Sequence, residues 1–389
     1  MSNVISIEDR KDGYGDGDGV LLVRGDQITP KAINWLWPGW LAAGKMHILG
    51  GQAGTSKTTL ALGLAAALTT GGRWPDGSRA PTGDVVMWSG EDDPTDTLAP
   101  RLLAMGADMR RVHFISGLTE DGKRRAFDPA SDMKALETAL QKVSNVRLLI
   151  VDPIVSAVSG DSHKNSETRR GLQPLVDLAA ALNPALLGIT HFSKNTQGRE
   201  PIDRITGSLA FAALARIVMV CAKETSDDGE APRRLLMRAK SNIGPDDGGV
   251  TFSLAQIALT QFPGVVASRV QWGEVIEGSA REILAQADAD PEQGGGALRA
   301  AQDWLRAFLE EPKPMREVRA GADAFGHSWA TVRRAQRELH VESKKEGATW
   351  VWHLPAQGQG VQPTRSRCST QKLEHLEHLE PKYTLEIDL

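Results

Sequence analysis

Apolar positions along this chain fall into two kinds of run. Short, mostly apolar runs lie at 46–49, 84–89, 146–153, 185–191, 217–221 and 233–239. Their length and β-branched content predict buried strands. Longer stretches at 60–68, 98–105, 131–143, 172–182 and 209–216 suit helices. Strands alternating with helices predict an α/β fold, a mainly parallel sheet with helices on both faces. The stretch 33–44 holds Trp35, Trp37 and Trp40 around Pro38, and reads as an apolar lid on the core. A tryptophan beside a nucleotide base is its functional version.

Near residue 280 the texture changes. Gly294, Gly295 and Gly296 predict a hinge. Helical runs follow at 298–309, 315–324 and 328–340, the last with Ser328 as its N-cap, and then a hairpin at 341–354. Three helices and a hairpin predict a winged helix-turn-helix. The expected division is a loose tail over 1–28, an α/β domain over 29–280, a linker over 281–296, a winged-helix domain over 297–355 and a disordered tail over 356–389.

Composition narrows this picture modestly. Apolar residues make up 41% of the 389 positions, enough for a large core. No apolar run is long enough to span a membrane, and the Gly/Asp-rich start does not read as a signal peptide, so a cytoplasmic protein is expected. Cys221 and Cys368 are the two cysteines and give no zinc spacing or disulfide framework. The net charge of −4 leaves nucleic-acid binding to local basic patches.

The chemistry centres on Gly50-Gly51-Gln52-Ala53-Gly54-Thr55-Ser56-Lys57-Thr58-Thr59-Leu60. Predicted strand, glycine-rich turn, Lys-Thr and predicted helix form the layout of a P-loop. Backbone N–H groups from Gly51 to Thr59 would cradle a polyphosphate at the helix N-terminus. Lys57 would reach the β- and γ-phosphates of ATP, and the Thr58 hydroxyl would bind Mg2+. Ser56 stands where the motif has its second glycine. Either the backbone there is unstrained, or nucleotide affinity is weakened.

Other predicted strands end in candidate site residues. Asp152 closes the 146–153 run and would hold the Mg2+ shell through water, facing Thr58. Glu91, after the 84–89 run, could deprotonate the attacking water; Asp92 and Asp93 suit capping of the next helix. His191 closes the third strand as a candidate γ-phosphate sensor. Arg216, Arg238 and Lys240 are candidate cations acting on a neighbouring subunit's site. Loops at 159–168 and 194–204 carry Lys164, Lys194, Arg199 and Arg204, suited to a DNA backbone. Arg333, Arg334 and Arg337 on the 328–340 helix form a candidate recognition face for duplex DNA.

Taken in order, these pieces resemble the RecA-like P-loop ATPases of the plasmid RepA-type hexameric replicative helicase family and their phage and prophage relatives. The likeness runs over about 33–254. It includes Trp88-Ser89-Gly90-Glu91-Asp92-Asp93-Pro94, Leu149-Ile150-Val151-Asp152, Thr190-His191-Phe192-Ser193-Lys194, Gly207-Ser208 with Arg216, and Arg238-Ala239-Lys240-Ser241-Asn242. The resemblance implies Glu91 as catalytic base, His191 as sensor, Arg216 as arginine finger and Lys240 as a second trans-acting cation. It also implies a hexameric ring with ATP between subunits and single-stranded DNA in the pore. Ser56 and the C-terminal segment depart from the family's minimal pattern. Two other readings remain open: a nucleotide-switched DNA-binding regulator or loader, and a decayed prophage ATPase.

Overall fold

The computed structural model describes residues 22–355, apart from 163, 194–195, 197–198, 206–208, 224–232, 289–290 and 347–348. Its centre is a nine-stranded sheet. The strands are β1 (Met46–Gly51), β2 (Asp84–Ser89), β3 (Val112–Phe114), β4 (Val146–Asp152), β5 (Ala185–Ile189), β6 (Ile217–Lys223), β7 (Arg234–Ser241), β8 (Gly249–Ala258) and β9 (Val266–Ile276), in spatial order β9-β8-β7-β6-β1-β5-β4-β2-β3. From β6 to β3 all neighbours are parallel. Strands β7, β8 and β9 are added antiparallel. The sheet is therefore mixed: the expected parallel part holds six strands, and an antiparallel extension of three is added to it. The expectation missed β3, β8 and β9. β3 is a three-residue edge strand, whereas β8 and β9 form a long hairpin turning at Pro263-Gly264, a turn signal in the sequence.

Helices flank the sheet: α1 (Lys57–Thr70), α2 (Ala99–Ala104), α3 (Met133–Leu140), α4 (Asn165–Leu182), α5 (Leu209–Leu214) and α6 (Ala280–Asp288). Apolar residues surround α1 because it is covered on more than one side. Leu60, Leu62, Leu64 and Leu68 are buried, and a Cβ placed on Gly63 would meet Val270 of β9 at 3.3 Å and Met105 beyond α2 at 3.7 Å. A helix buried all round needs no polar stripe. On the other face, α3, α4 and α5 close a second core around Leu149, Leu172, Leu175 and Phe211.

The aromatic lead-in packs as a lid. Trp35–Trp37 pairs with Leu41–Ala42, and the Trp37 ring stacks on both Trp40 and Trp74, with centroids 4.8 and 5.1 Å away. His47 fastens this hairpin to the sheet. Its Nε2 accepts from the Ala42 N–H at 3.0 Å, and its Nδ1 is 3.2 Å from the Leu186 carbonyl. The first bond requires a bare Nε2, so the proton sits on Nδ1 and the ring is neutral.

Beyond α6 come α7 (Pro291–Phe308), α8 (Met315–Ala324), α9 (Trp329–Glu338) and a hairpin of Glu342–Glu346 with Thr349–His353, whose second strand also pairs with Lys313–Pro314. This unit has its own core of Leu305, Val318, Val332, Ala335 and Trp352. Ser328 caps α9 by accepting from the Thr331 N–H at 3.1 Å. The expected linker over 281–296 is corrected: α6 and α7 occupy most of it, and Gly294 to Gly296 lie inside α7. The expected tail over 356–389 and most of that over 1–28 lie outside the described residues.

Burial holds the His47 pKa down to about 4, against an ordinary value of 6.5. Between those values the unfolded chain binds a proton that the folded chain refuses, so stability is full above pH 6.5 and falls as pH drops towards 4. The loss from this group totals about 3 kcal/mol. His47→Gln, which keeps one donor and one acceptor, should flatten that acid limb in denaturation curves recorded from pH 7 to pH 4; an unchanged limb would contradict the assignment.

Candidate nucleotide-binding site

The carboxyl ends of β1, β2, β4 and β5 lie side by side, with Ser89 opposite Asp152, Val151 opposite Gly188 and Leu49 opposite Ile189. Strand order reverses around β1, and such points open a crevice above an α/β sheet. A cavity of about 300 Å3 lies there, and its lining includes Lys57, Thr58, Glu91, Asp152 and His191. The sequence places Glu91, Asp152 and His191 far from the adjacent pair Lys57-Thr58, and the topology brings them together.

Each is positioned by a local feature. The loop from β1 to α1 presses against β6, where a Cβ on Gly51 would come within 2.5 Å of the Cys221 carbonyl oxygen. Only a residue without a side chain permits that approach. Lys57 is buried and donates from Nζ to the Gly51 and Gln52 carbonyls at 3.1 and 3.0 Å and to His191 Nδ1 at 3.1 Å. An ammonium only donates, so Nδ1 accepts and neutral His191 carries its proton on Nε2. That Nε2 lies 3.9 Å from Glu91 Oε2. Burial, with Lys57 nearby, lowers the His191 pKa, and burial lowers that of Lys57 against the pull of neighbouring acids.

Opposite Lys57, the Thr58 hydroxyl donates to Asp152 Oδ2 at 2.7 Å. Asp152 is buried, and burial together with Glu91 and Asp92 pushes its pKa up to about 6. A hydroxyl beside one carboxylate suits Mg2+, which commonly takes one or two protein oxygens and fills its remaining positions with water and phosphate. Among the described residues no group of three or more His, Cys, Asp or Glu could hold a metal ion. Asp93 caps the turn Pro94–Leu98 by accepting from the Thr95 N–H, and Asp92 pairs with Arg101 at 3.3 Å. Glu91 is thus the carboxylate of this trio that lines the cavity.

The expectation that the backbone at Ser56 is unstrained is corrected. Its φ of 71° and ψ of 33° are left-handed, the conformation glycine would adopt freely. The loop keeps its shape and serine carries the strain, about 1 kcal/mol or more. Four further cavity residues escaped the sequence reading as site residues: Arg101, Ile189, Leu254 and Ser268. Period-two alternation around Val250, Phe252 and Leu254 is the signal that would have revealed β8; Arg101 sits in an ordinary helical run and had none.

Other candidates lie elsewhere. Arg216 precedes β6, at the opposite end of the sheet from Gly51, on the order of 13 Å along the strands given the pairing of Ile217 with His47. Lys240 is at that end too, donating to the Ala212 and Ala215 carbonyls at 2.7 and 3.2 Å. Arg238 lies over the Trp40 ring at 4.6 Å and donates to the Asp247 carbonyl, a place in the lid. Lys164 pairs with Glu167 at 3.1 Å, and Arg199 is exposed. Lys194 lies outside the described residues. Arg204 requires correction: it is 2% exposed, over the Phe192 ring at 4.6 Å, and cannot present its guanidinium to a DNA backbone. Arg333 is half-buried over Trp352, Arg334 pairs with Glu338 at 3.4 Å, and Arg337 is exposed.

A P-loop facing a strand-end carboxylate, on a sheet of this order, defines a nucleotide-binding ATPase-type domain. Residues 17–197 match a family model described as an AAA domain. That stretch spans the P-loop, Glu91, Asp152 and His191 and ends before Arg216; it supports ATP binding and hydrolysis. No curated protein matches the chain. Among the described residues no helix is long and apolar enough to cross a membrane.

Two substitutions test this geometry. Ser56→Gly should stabilise the protein by up to about 1 kcal/mol, strain relief being partly offset by the entropy of glycine. Nucleotide affinity should change little, because the loop already has its shape; a large gain in a binding titration would contradict this. For Asp152 the sign runs opposite to His47. Between pH 3.8 and about 6 the folded chain keeps a proton that the unfolded chain loses, so this contribution disappears as pH rises through that window. At pH 7 the ionised carboxylate burdens the ligand-free fold by about 3 kcal/mol. Asp152→Asn should therefore stabilise the ligand-free protein at pH 7 and not at pH 3.5, as read by chemical denaturation; equal effects at both pH values would refute the assignment.

Proposed function

We propose that this chain is an ATP-hydrolysing, ring-forming, DNA-dependent motor of the replicative-helicase kind, working in the cytoplasm on plasmid, phage or prophage DNA. The observation that carries the reading is the meeting of Lys57, Thr58, Glu91, Asp152 and His191 around one cavity. Thr58 would bind Mg2+ directly and Asp152 through water. The ion would draw charge from the β- and γ-phosphates. Lys57 exchanges some of its three present acceptors for phosphate oxygens. Glu91, at the exposed mouth of the crevice, takes the proton of the water that attacks the γ-phosphorus. A phosphate oxygen that captures the Lys57 N–H now held by His191 frees that ring, which makes His191 a reporter of the γ-phosphate.

Arg216 and Lys240 lie too far from the cavity of their own chain to serve it, so their phosphate partner belongs to a neighbouring copy. A hexamer with single-stranded DNA in its pore is the assembly that the family resemblance suggests. Lys164, Lys194 and Arg199 remain candidates for gripping the strand. The order of three helices and a hairpin, with Ser328 capping the basic helix, supports a winged-helix reading of the C-terminal unit, which would contact duplex DNA through Arg333, Arg334 and Arg337. That unit also favours a second reading, a nucleotide-switched DNA-binding regulator or loader without unwinding activity.

Glu91→Gln should lower steady-state ATP turnover by roughly 10²–10⁴-fold while leaving nucleotide binding intact, and Lys57→Ala should abolish both. Single-stranded DNA should stimulate the wild type. Wild-type turnover by Glu91→Gln would overturn the mechanism. Specific duplex binding without strand displacement would favour the regulator.

A further inference from the structure

A second cavity, of about 550 Å3, lies between the antiparallel end of the sheet and the C-terminal unit. One wall comprises Trp329, Arg333, Gln336 and Arg337 of α9, with Ser343 and Trp350 of the terminal hairpin. The other includes Glu274, Glu277 and Glu282. The face suited to duplex DNA is therefore turned towards carboxylates of the chain's own ATPase domain. Burial lowers the Arg333 pKa, and nearby charges act on it from both walls, Arg337 and Arg233 opposing its charge, Glu277 and Glu274 supporting it.

An ion pair contributes to the tether. Helix α6 is anchored to the sheet through Ile283 and Leu284, which pack with Val220, Leu235 and Met237. From that helix Glu282 pairs with Arg319 of α8. A large gap remains where a permanent interface would be filled, and a gap forfeits the dispersion contacts that hold packed surfaces together. Exposed ion pairs contribute little each and weaken with salt. The two units are thus docked by contacts that another polyanion can replace.

We propose that this docking is autoinhibitory: Glu282, through Arg319 of α8, and Glu277, near Arg333 of α9, hold the C-terminal unit with the basic face of α9 turned to the ATPase domain, and duplex DNA must displace this docking to bind. The inference rests on the winged-helix reading above. A helix that enters a major groove needs its outer face clear, so docking and duplex binding exclude each other. The observed affinity is then the intrinsic affinity reduced by the fraction of molecules that are open.

The test uses the full chain and a fluorescently labelled random duplex, titrated by anisotropy at one fixed salt concentration. Glu277→Gln with Glu282→Gln should tighten binding roughly fivefold or more; glutamine at 282 can keep the bond that Glu282 accepts from the Ser279 N–H. Glu310→Gln with Glu311→Gln makes the same change in net charge on residues that do not line the cavity, and should change affinity less than about twofold. Adding Arg333→Ala and Arg337→Ala should cancel the gain. Equal gains from both glutamate pairs, or none from the first, would overturn the autoinhibition while leaving duplex binding through α9 intact. No duplex binding by any variant would overturn the winged-helix reading and this inference with it.

Discussion

The nucleotide site depends on a buried cation at the start of α1 and a buried carboxylate at the end of β4. Lys57 has its three donors engaged by two loop carbonyls and a histidine; Asp152 accepts from Thr58. Neither charge is comfortable where it lies: burial lowers the lysine and raises the aspartate. A magnesium-bound triphosphate would relieve both, offering oxygens to the lysine and a divalent charge to the carboxylate. The ligand-free fold therefore stores electrostatic cost at the place where the ligand would remove it.

Strain at Ser56 follows the same logic. A left-handed serine in the loop costs stability, yet the loop shape survives because the surroundings over-determine it. Cys221 leaves no room for a side chain at position 51, and Lys57 ties the Gly51 and Gln52 carbonyls together. Strained residues that persist at a ligand cradle are expected when neighbouring contacts fix the backbone.

Much of this was legible in the sequence because the central parallel strands are buried on both faces and read as mostly apolar runs. Strands β2, β4 and β5 ended close to where those runs ended, and Glu91, Asp152 and His191 followed from that placement. What failed has physical causes. The β8–β9 hairpin is half-exposed, so it alternates apolar and polar residues instead of forming an apolar run, and its contribution to the cavity was missed. Gly294 to Gly296 suggested a hinge, but the chain continues as helix through them. Arg204 looked like a loop cation, and its burial over Phe192 depends on tertiary packing that spacing cannot show.

The most direct test of the shared crevice is calorimetric titration of the wild-type chain with a non-hydrolysable ATP analogue, with and without magnesium, at pH 6 in buffers of different ionisation enthalpy. The account predicts one site per chain, affinity that rises with magnesium, and release of about half a proton at this pH as the Asp152 carboxyl ionises on binding. Binding that ignores magnesium and releases no proton would contradict it.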